Sequence, residues 1–223
     1  MLTICLEGPS AAGKSSLVQA LATMVEAVAV PEVNLLFSRP SDPDPHWYLE
    51  RQQERWERAC RSASGASLAV LDGDVLQALW YGWAYGFTNH QSLSELVAFY
   101  RPLMACGTLA FPDAYFVLEC SVKELRSRKA GDATRKRRNF DLHLQFIEPQ
   151  RVYFQVLQSL APALVHWLPM SSVSGNVEAV RRVLASTELR NKSNDLAIFD
   201  QVSEFLQRNV FRGEPWQAVE IRR

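Results

Sequence analysis

Short apolar runs alternate along the chain with longer stretches whose apolar positions have helical spacing. The predicted strands lie at residues 2–6, 28–33, 68–71, 114–120 and 164–168. The predicted helices lie at residues 14–26, 47–63, 75–85, 92–105, 140–159 and 175–186. Because strands separated by helices form parallel sheets with helices on both faces, the pattern predicts an α/β fold with a mainly parallel, five-stranded sheet.

Composition and charge narrow the classes of function. The 24 basic and 24 acidic residues cancel, so nothing in the overall charge favours nucleic acid or an anionic membrane as a partner. No apolar run approaches the roughly 18 residues of a membrane span, and the first predicted strand leaves no room for a signal peptide. The four cysteines lack metal-ligand spacing. We therefore expect a cytoplasmic protein with reduced thiols.

A phosphate-binding motif follows the first predicted strand and opens the first predicted helix. Gly8 and Gly13-Lys14-Ser15 fit the pattern G-x-x-x-x-G-K-[ST]. In this motif backbone N–H groups point at the phosphates, the lysine reaches the β- and γ-phosphates, and the Ser hydroxyl binds Mg²⁺. A chance glycine-rich turn is the alternative, which the flanking elements oppose. The predicted ATP-binding residues are Gly8, Pro9, Ser10, Ala11, Ala12, Gly13, Lys14, Ser15 and Ser16.

Acidic residues stand where the second and third predicted strands end. Glu32 closes strand two, and Asp72 and Asp74 flank Gly73 after strand three. Ligands of parallel sheets bind beyond the carboxyl ends of the strands, so these residues and the phosphate loop predict one active site. Glu32 is the candidate base for a substrate hydroxyl, or else an exposed structural glutamate. Asp72 is the candidate Mg²⁺ ligand, and Asp74 either orients substrate or caps the next helix.

A basic segment is the strongest local charge feature. Between Lys123 and Arg138 eight cations face only two acidic residues, a net charge of +6. Such a segment can form a lid, here over about residues 127–140, that closes over a nucleotide and delivers arginine to the transferred phosphoryl group. Arg128 and Arg135 are candidate catalytic residues, although spacing does not rank them above their basic neighbours. A solvated charge run or a nucleic-acid patch is the alternative.

Aromatic residues cluster between the third and fourth predicted strands. This group, which ends beside Arg101, comprises Trp80, Tyr81, Trp83, Tyr85, Phe87, Phe99 and Tyr100. Aromatic side chains can form a stacking wall for a planar substrate, with Tyr85 in the wall and Arg101 at the polar edge of the ligand. The alternative is that they belong to the hydrophobic core.

Taken together, these features resemble the thymidylate kinase and deoxynucleoside kinase group of P-loop kinases. The resemblance rests on "GPSAAGKSS", a glutamate closing strand two, an acidic motif closing strand three and an Arg-rich lid, and it covers about residues 1–186. It implies a three-layer P-loop NTPase sandwich, ATP and Mg²⁺ as ligands, and Glu32 at the position of the general base. The sequence departs at Gly73, where both branches of that group carry an arginine.

Other likenesses leave the acceptor open. "LDGD" is similar to a motif of adenylylsulfate kinases, but a whole extra βα unit precedes it here, so we treat that likeness as convergent. The S-x-A-G-K-S form of the loop resembles chloramphenicol phosphotransferases, which keeps a small-molecule hydroxyl other than that of a nucleoside as an alternative acceptor. We therefore expect an ATP-dependent kinase that phosphorylates a hydroxyl of a nucleoside, a nucleoside-like molecule or an antibiotic. The alternatives are a nucleoside monophosphate kinase and, from another class, a regulatory ATPase that hydrolyses nucleotide and binds a macromolecule.

The residues after the kinase-like region contain one amphipathic helix. Its apolar positions are Leu196, Phe199, Val202, Phe205 and Leu206. We expect residues 187–223 to form a C-terminal helical extension that packs either on the domain of residues 1–186 or on a second subunit, which would make a homodimer.

Overall fold

The structure, a computed structural model, describes residues 2–24, 27–62, 67–88, 91–131, 140–186 and 192–209. The strands are β1 Leu2–Glu7, β2 Ala27–Val30, β3 Leu68–Asp72, β4 Ala114–Glu119 and β5 Val165–Pro169. The helices of the first half are α1 Lys14–Met24, α2 Val33–Leu36, α3 Trp47–Ser62, α4 Gln77–Ala84 and α5 Leu93–Ala105. Those of the second half are α6 Val122–Gly131, α7 Phe140–Leu144, α8 Ile147–Leu160, α9 Val173–Ser186 and α10 Asp195–Arg208.

The five strands form one parallel sheet in the order β2-β3-β1-β4-β5. β1 lies at the centre, where Leu6 is in register with Asp72 of β3 and with Phe116 of β4. The direction of winding changes at β1, which is where open parallel sheets bind their ligands. The topology therefore brings the loop after β1 next to the ends of β2 and β3.

Each face of the sheet has its own hydrophobic core, because successive side chains of a strand point to opposite faces. On one face Ile4 and Leu6 pack with residues of α1, α6 and α9. On the other, Cys5 and Tyr115 pack with residues of α3, α4, α5, α8 and α10. The predicted three-layer α/β sandwich is confirmed.

Helix α10 belongs to the second of these cores. Phe199 and Val202 are fully buried there. Asp195, at the start of the helix, accepts a hydrogen bond from the backbone N–H of Phe111 at 2.9 Å. The apolar face predicted for this helix is thus used within the chain, and the exact domain boundary stays a prediction.

Three local predictions need correction. Strand β2 ends at Val30, so Glu32 precedes the short helix α2 instead of closing the strand. The helix predicted over residues 140–159 is two helices, because a turn at Gln145 and Phe146 separates α7 from α8. The first part of the predicted lid is helical, as α6 extends to Gly131. None of the helices within the described ranges has both the length and the apolar character of a membrane span.

Candidate active site

The loop between β1 and α1 has the backbone path that phosphate binding requires. Gly8 and Gly13 have φ angles of +134° and +102°, a region that L side chains rarely adopt. A Cβ atom on Gly8 would lie 2.7 Å from the carbonyl oxygen of Leu118, so the close approach to β4 also requires glycine. Lys14 donates from Nζ to the carbonyl oxygens of Gly8 at 2.6 Å and Pro9 at 3.2 Å. Its ammonium group is therefore held over the loop, where phosphate charge would need neutralising.

Ser15 and Asp72 meet where β3 ends beside this loop. Ser15 Oγ donates to Asp72 Oδ2 at 2.7 Å, and the other carboxylate oxygen, Oδ1, is buried without a hydrogen-bond partner. A hydroxyl beside a carboxylate with an unused oxygen suits Mg²⁺, which prefers hard oxygen ligands and takes others from phosphate and water. Within the described ranges no three His, Cys, Asp or Glu side chains cluster as a metal site. The pair therefore fits Mg²⁺ in company with phosphate oxygens.

Glu32 lines the same cleft as the phosphate loop. Its backbone oxygen accepts from the N–H of Leu35 at 3.0 Å, but its side chain makes no capping hydrogen bond to α2. Lys14 and Glu32 both act on His143, whose pKa is lowered by burial and by Lys14 and raised by Glu32. All three side chains line the same cleft. Glu32 is thus a carboxylate available to a ligand beside the phosphate loop.

The cleft has a volume of about 1010 Å³, large enough for a nucleotide and a small acceptor together. Beyond the phosphate loop its wall is largely aromatic, with contributions from α2 to α4 and from the α7–α8 turn. The aromatic lining residues are Phe37, Trp47, Tyr48, Trp80, Tyr81 and Phe146. Polar side chains of Asn34, Gln77, Arg39 and His143 stand among them. The wall is therefore built for a ligand that has a planar or apolar part and polar edges.

Asp74 is fully buried and is not part of the cleft lining. Its Oδ1 accepts from the N–H of Leu76 at 3.1 Å and from the hydroxyl of Tyr115 at 2.8 Å. Burial, and then the nearby Glu7, raise the pKa of Asp74 to about 7. Asp74 is not the helix cap, because the N-cap of α4 is Leu76 and no side chain caps this helix. Its hydrogen bonds instead organise the turn before α4.

Two predicted substrate residues also lie outside the cleft lining. Arg101 on α5 forms a two-bond ion pair with Asp200 of α10, with Nε–Oδ1 at 2.9 Å. Tyr85 packs edge-on against Tyr81 and Phe146, at ring-centroid distances of 5.3 and 5.0 Å. The position of Arg101 does not support a role at the edge of a substrate, because the ion pair holds it on the surface between α5 and α10. Tyr85 supports the aromatic wall from behind.

Four residues that the motifs did not single out belong to the site. Glu7, Arg55, His143 and Gln150 all line the cleft. An acidic residue closing a strand of otherwise apolar residues was a usable signal for Glu7. Arg55 shares a helix face with the buried residues Gln52, Trp56 and Ala59, so a charge on an apolar face was the available signal there.

The described part of the lid touches the phosphate loop. The guanidinium of Arg128 on α6 donates to the carbonyl oxygen of Ala12. Beside it lies a second recess of about 350 Å³, lined by Arg128, residues of the loop and the segment Ser171, Ser172 and Val173 after β5. Arg135 and the rest of the lid through residue 139 lie outside the described residues.

The sheet order and the phosphate loop together are those of a P-loop NTPase fold. A family model described as an AAA domain matches residues 3–148, more than half of the chain, so the protein belongs to this AAA-domain family. A comparison with curated proteins gives no match.

Solved structures of kinases share the fold at low sequence identity. Thymidylate kinase from Candida albicans has a TM-score of 0.58 and 16% identity over 86% of this chain and 96% of that one. Deoxyadenosine kinase from M. mycoides with bound dATP has a TM-score of 0.56 and 15% identity over 83% of this chain and 100% of that one. Thymidylate kinase from Ehrlichia chaffeensis has a TM-score of 0.53 and 15% identity over 82% of this chain and 98% of that one. These likenesses confirm the resemblance to P-loop kinases at the level of the fold.

Proposed function

We propose that the protein is an ATP-dependent kinase that transfers the γ-phosphoryl group to a hydroxyl of a small, nucleoside-like acceptor. The observation that carries the proposal is Glu32, an available carboxylate in the same cleft as the phosphate loop. A hydroxyl acceptor must lose a proton during transfer, and a positioned carboxylate is a suitable base. A phosphate acceptor is already anionic near neutral pH and does not need one.

On the donor side, the triphosphate lies along residues 8–16. Lys14 and Arg128, both in contact with this loop, neutralise charge on the phosphates. Ser15 and Asp72 would hold Mg²⁺, which would supply positive charge to offset that of the phosphates. The recess beside Arg128 accommodates the base of the donor, since it adjoins the loop on the side of α6 and the β5–α9 segment.

On the acceptor side, the aromatic wall holds the planar part of the acceptor, with Trp80 and Tyr81 on α4 and Phe146 at the α7–α8 turn. The acceptor oxygen attacks the γ-phosphorus, and the bond from this phosphorus to the β–γ bridging oxygen breaks. The hydroxyl proton passes to the carboxylate of Glu32, and ADP leaves with the bridging oxygen. Catalysis then consists mainly of positioning and charge neutralisation, as is typical of phosphoryl transfer.

A second candidate is a nucleoside monophosphate kinase. Arg39 is exposed and lines the cleft just after α2, where it can bind an anionic group on the acceptor. In that case the acceptor oxygen belongs to a phosphate, and Glu32 is not required as a base.

Mass spectrometry of reaction products distinguishes these functions. Purified protein is incubated with Mg²⁺ and ATP and with separate pools of nucleosides, nucleoside monophosphates and hydroxylated antibiotics. Lys14→Ala is the matched control, because it removes the ammonium that contacts the loop and leaves the aromatic wall intact.

The proposal predicts one added phosphoryl group on a nucleoside or another hydroxyl acceptor, and no product with Lys14→Ala. Product from monophosphates alone would replace the proposal with the second candidate. Slow ADP release without any phosphorylated acceptor, stimulated by RNA, DNA or a protein, would contradict both and favour a regulatory ATPase.

A further inference from the structure

Arg55 is a fully buried guanidinium whose hydrogen bonds, among the residues that the structure describes, all go to neutral oxygen atoms. It is 1% exposed, and its Nε donates to the carbonyl oxygen of Pro31 at 2.7 Å. Its NH2 group donates to the carbonyl oxygens of Asp72 at 2.8 Å and Gly73 at 3.0 Å, and NH1 donates to Gln52 Oε1. A buried cation normally has a carboxylate partner, since burial of a charge is costly. Arg55 instead joins backbone at the ends of β2 and β3.

Glu7 is a buried carboxylate, and within the described ranges its hydrogen bonds all come from neutral donors. It is 2% exposed, and its Oε1 accepts from the backbone N–H of Asp74 at 2.7 Å. Its Oε2 accepts from the N–H of Gly8 at 3.1 Å and from Nε2 of Gln150 at 2.8 Å. Glu7 therefore joins the phosphate loop, the turn after β3 and helix α8.

Both side chains hydrogen-bond to the backbone of the same three-residue turn, Asp72-Gly73-Asp74. Arg55 binds the carbonyl oxygens of the turn and Glu7 binds an N–H of the turn. Gly73 has a φ of +86°, and a Cβ atom on it would lie 3.8 Å from Glu7 Oε1, so the turn passes close to that carboxylate. The N–H of Gly73 donates to the carbonyl oxygen of Leu6 at 3.0 Å, which fixes the turn to β1.

We propose that Arg55 and Glu7 are a pair of positioning residues that set the place of Asp72 relative to Glu32 and the phosphate loop. Arg55 connects the residue before Glu32 to the backbone of Asp72, and Glu7 connects the first amide of the loop to the far end of the turn. The role rests on the proposed function for its catalytic consequence. One continuous set of hydrogen bonds then connects the proposed base Glu32, the proposed metal ligand Asp72 and the phosphate loop.

A purely structural role would be served better by other residues. Replacing buried charges by packed apolar groups is often neutral or stabilising, so stability alone does not call for a charge at either position. A need for fixed catalytic geometry does call for a charged group at these positions, because a displacement of about 1 Å in a catalytic group can lower turnover about 100-fold. A guanidinium can also bind several carbonyl oxygens at once in a fixed plane, which lysine cannot do.

Steady-state kinetics on matched variants test the proposal. The test variants are Arg55→Met, Arg55→Lys, Glu7→Gln and the double variant Arg55→Met/Glu7→Gln. Arg58→Met is the control for the helix, because Arg58 is exposed and lies over the ring of Phe37. Glu119→Gln is the control for Glu7, because Glu119 ends the neighbouring strand β4 and is exposed. Val202→Ala, in the core of α10, controls for a general loss of stability.

We expect Arg55→Met to lower kcat about 100-fold while KM for ATP changes by less than about threefold. Arg55→Lys should recover only part of kcat, since it restores the charge without the planar set of donors. The double variant should lose much less than the product of the two single losses, because both residues act on one turn. The three control variants should keep kcat within about twofold at temperatures where they remain folded. Kinetics of Arg55→Met that match those of Val202→Ala would overturn the proposal.

Hydrogen exchange of the backbone amides separates this proposal from the proposed function. The amides of Gly73 and Asp74 should exchange about tenfold faster in Arg55→Met than in Arg58→Met, whether or not an acceptor has been found. If the wild-type protein phosphorylates no acceptor, the proposed function fails, and faster exchange would still support the positioning role. If the wild-type protein is active but exchange and kcat of Arg55→Met are unchanged, the positioning role fails and the function stands.

Discussion

The two halves of the cleft are built in different ways. The part that we propose binds the donor triphosphate, here called the donor half, centres on one continuous stretch, residues 8–16. Its shape is a property of the backbone, with glycines at positive φ and a lysine folded over its own loop. The part that we propose binds the acceptor, here called the acceptor half, is formed by side chains of α2, α3, α4, α7 and α8, which are far apart in sequence.

This difference explains why one half of the site is easier to identify than the other. A loop whose function lies in its backbone must keep particular residues at a particular spacing. A wall of side chains from five helices needs only a suitable shape, which many sequences can supply. Substitutions should accordingly act through the backbone in the donor half and through side-chain contacts in the acceptor half.

The largest effect on stability should come from the backbone of the donor half. Gly8→Ala places a Cβ atom 2.7 Å from a carbonyl oxygen of β4 at a φ of +134°. We expect a loss of about 3 kcal/mol or more in the free energy of unfolding, from crowding and strain together. Gly107→Ala is the control, since it has φ +74° with no atom within 4 Å and should cost only the strain. Equal losses in urea titrations of the two variants would show that close packing of the loop is unimportant.

Truncation of an aromatic side chain in the acceptor half should weaken binding of the acceptor and leave binding of ATP unchanged. Tyr81→Leu removes a ring that lines the cleft, whereas Tyr85→Leu removes one that packs behind it. We expect KM for the acceptor to rise about tenfold in Tyr81→Leu and about threefold at most in Tyr85→Leu. KM for ATP should stay constant in both. A parallel rise in KM for ATP would mean that the two halves are not independent.

The free energy of unfolding should depend on pH through Asp74, which lies in the buried turn between the two halves. Burial and Glu7 raise the pKa of Asp74 from 3.8 to about 7, so the native state keeps a proton that the unfolded chain has lost. The stability contribution of this group is therefore complete below about pH 4, falls as pH rises towards 7 and is constant above. Between pH 5 and pH 7 the free energy of unfolding of the wild type should fall about 2 kcal/mol more than that of Asp74→Asn.

Urea titrations at the two pH values measure this difference. The exposed Asp200→Asn is the matched control and should follow the wild-type profile. Identical profiles for wild type and Asp74→Asn would show that Asp74 is ionised in the native state across this range.

The smallest effect should come from a residue outside both halves. Arg101→Ala breaks an exposed ion pair with Asp200, and such pairs contribute little. We expect kcat and both KM values to remain within about twofold of wild type in steady-state assays. A rise in KM for the acceptor alone would contradict this expectation and show that Arg101 contributes to acceptor binding.

The sequence predicts strands, helices and the phosphate loop well because each depends on local spacing. The strand bounds differ from the observed ones by a few residues, the largest difference being at β2, where Pro31 and the start of α2 end the strand early. The break between α7 and α8 was not predictable from periodicity, since apolar positions continue across it. That break places His143 and Phe146 in the cleft and directs Gln150 to Glu7.

The acceptor side shows what sequence patterns cannot provide. The aromatic group after β3 divides between the cleft, the layer behind it and the core, and spacing along the chain does not separate Tyr81 from Tyr85 or Trp83. Arg55 is one of several arginines in a charged helix, and only the fold shows that its side chain reaches the ends of β2 and β3. The position of each aromatic side chain relative to the cleft depends on the tertiary structure, and the proposed role of the cluster in acceptor binding stays a prediction.

In the proposed function Glu32 receives the proton of a hydroxyl acceptor. Single-turnover phosphorylation of the acceptor found by mass spectrometry tests this role, using wild type, Glu32→Gln and the exposed control Glu50→Gln. We expect Glu32→Gln to transfer phosphate about 100-fold or more slowly, with ATP binding unchanged and Glu50→Gln like wild type. A Glu32→Gln rate within about threefold of wild type would contradict the claim, because a carboxamide cannot serve as the base.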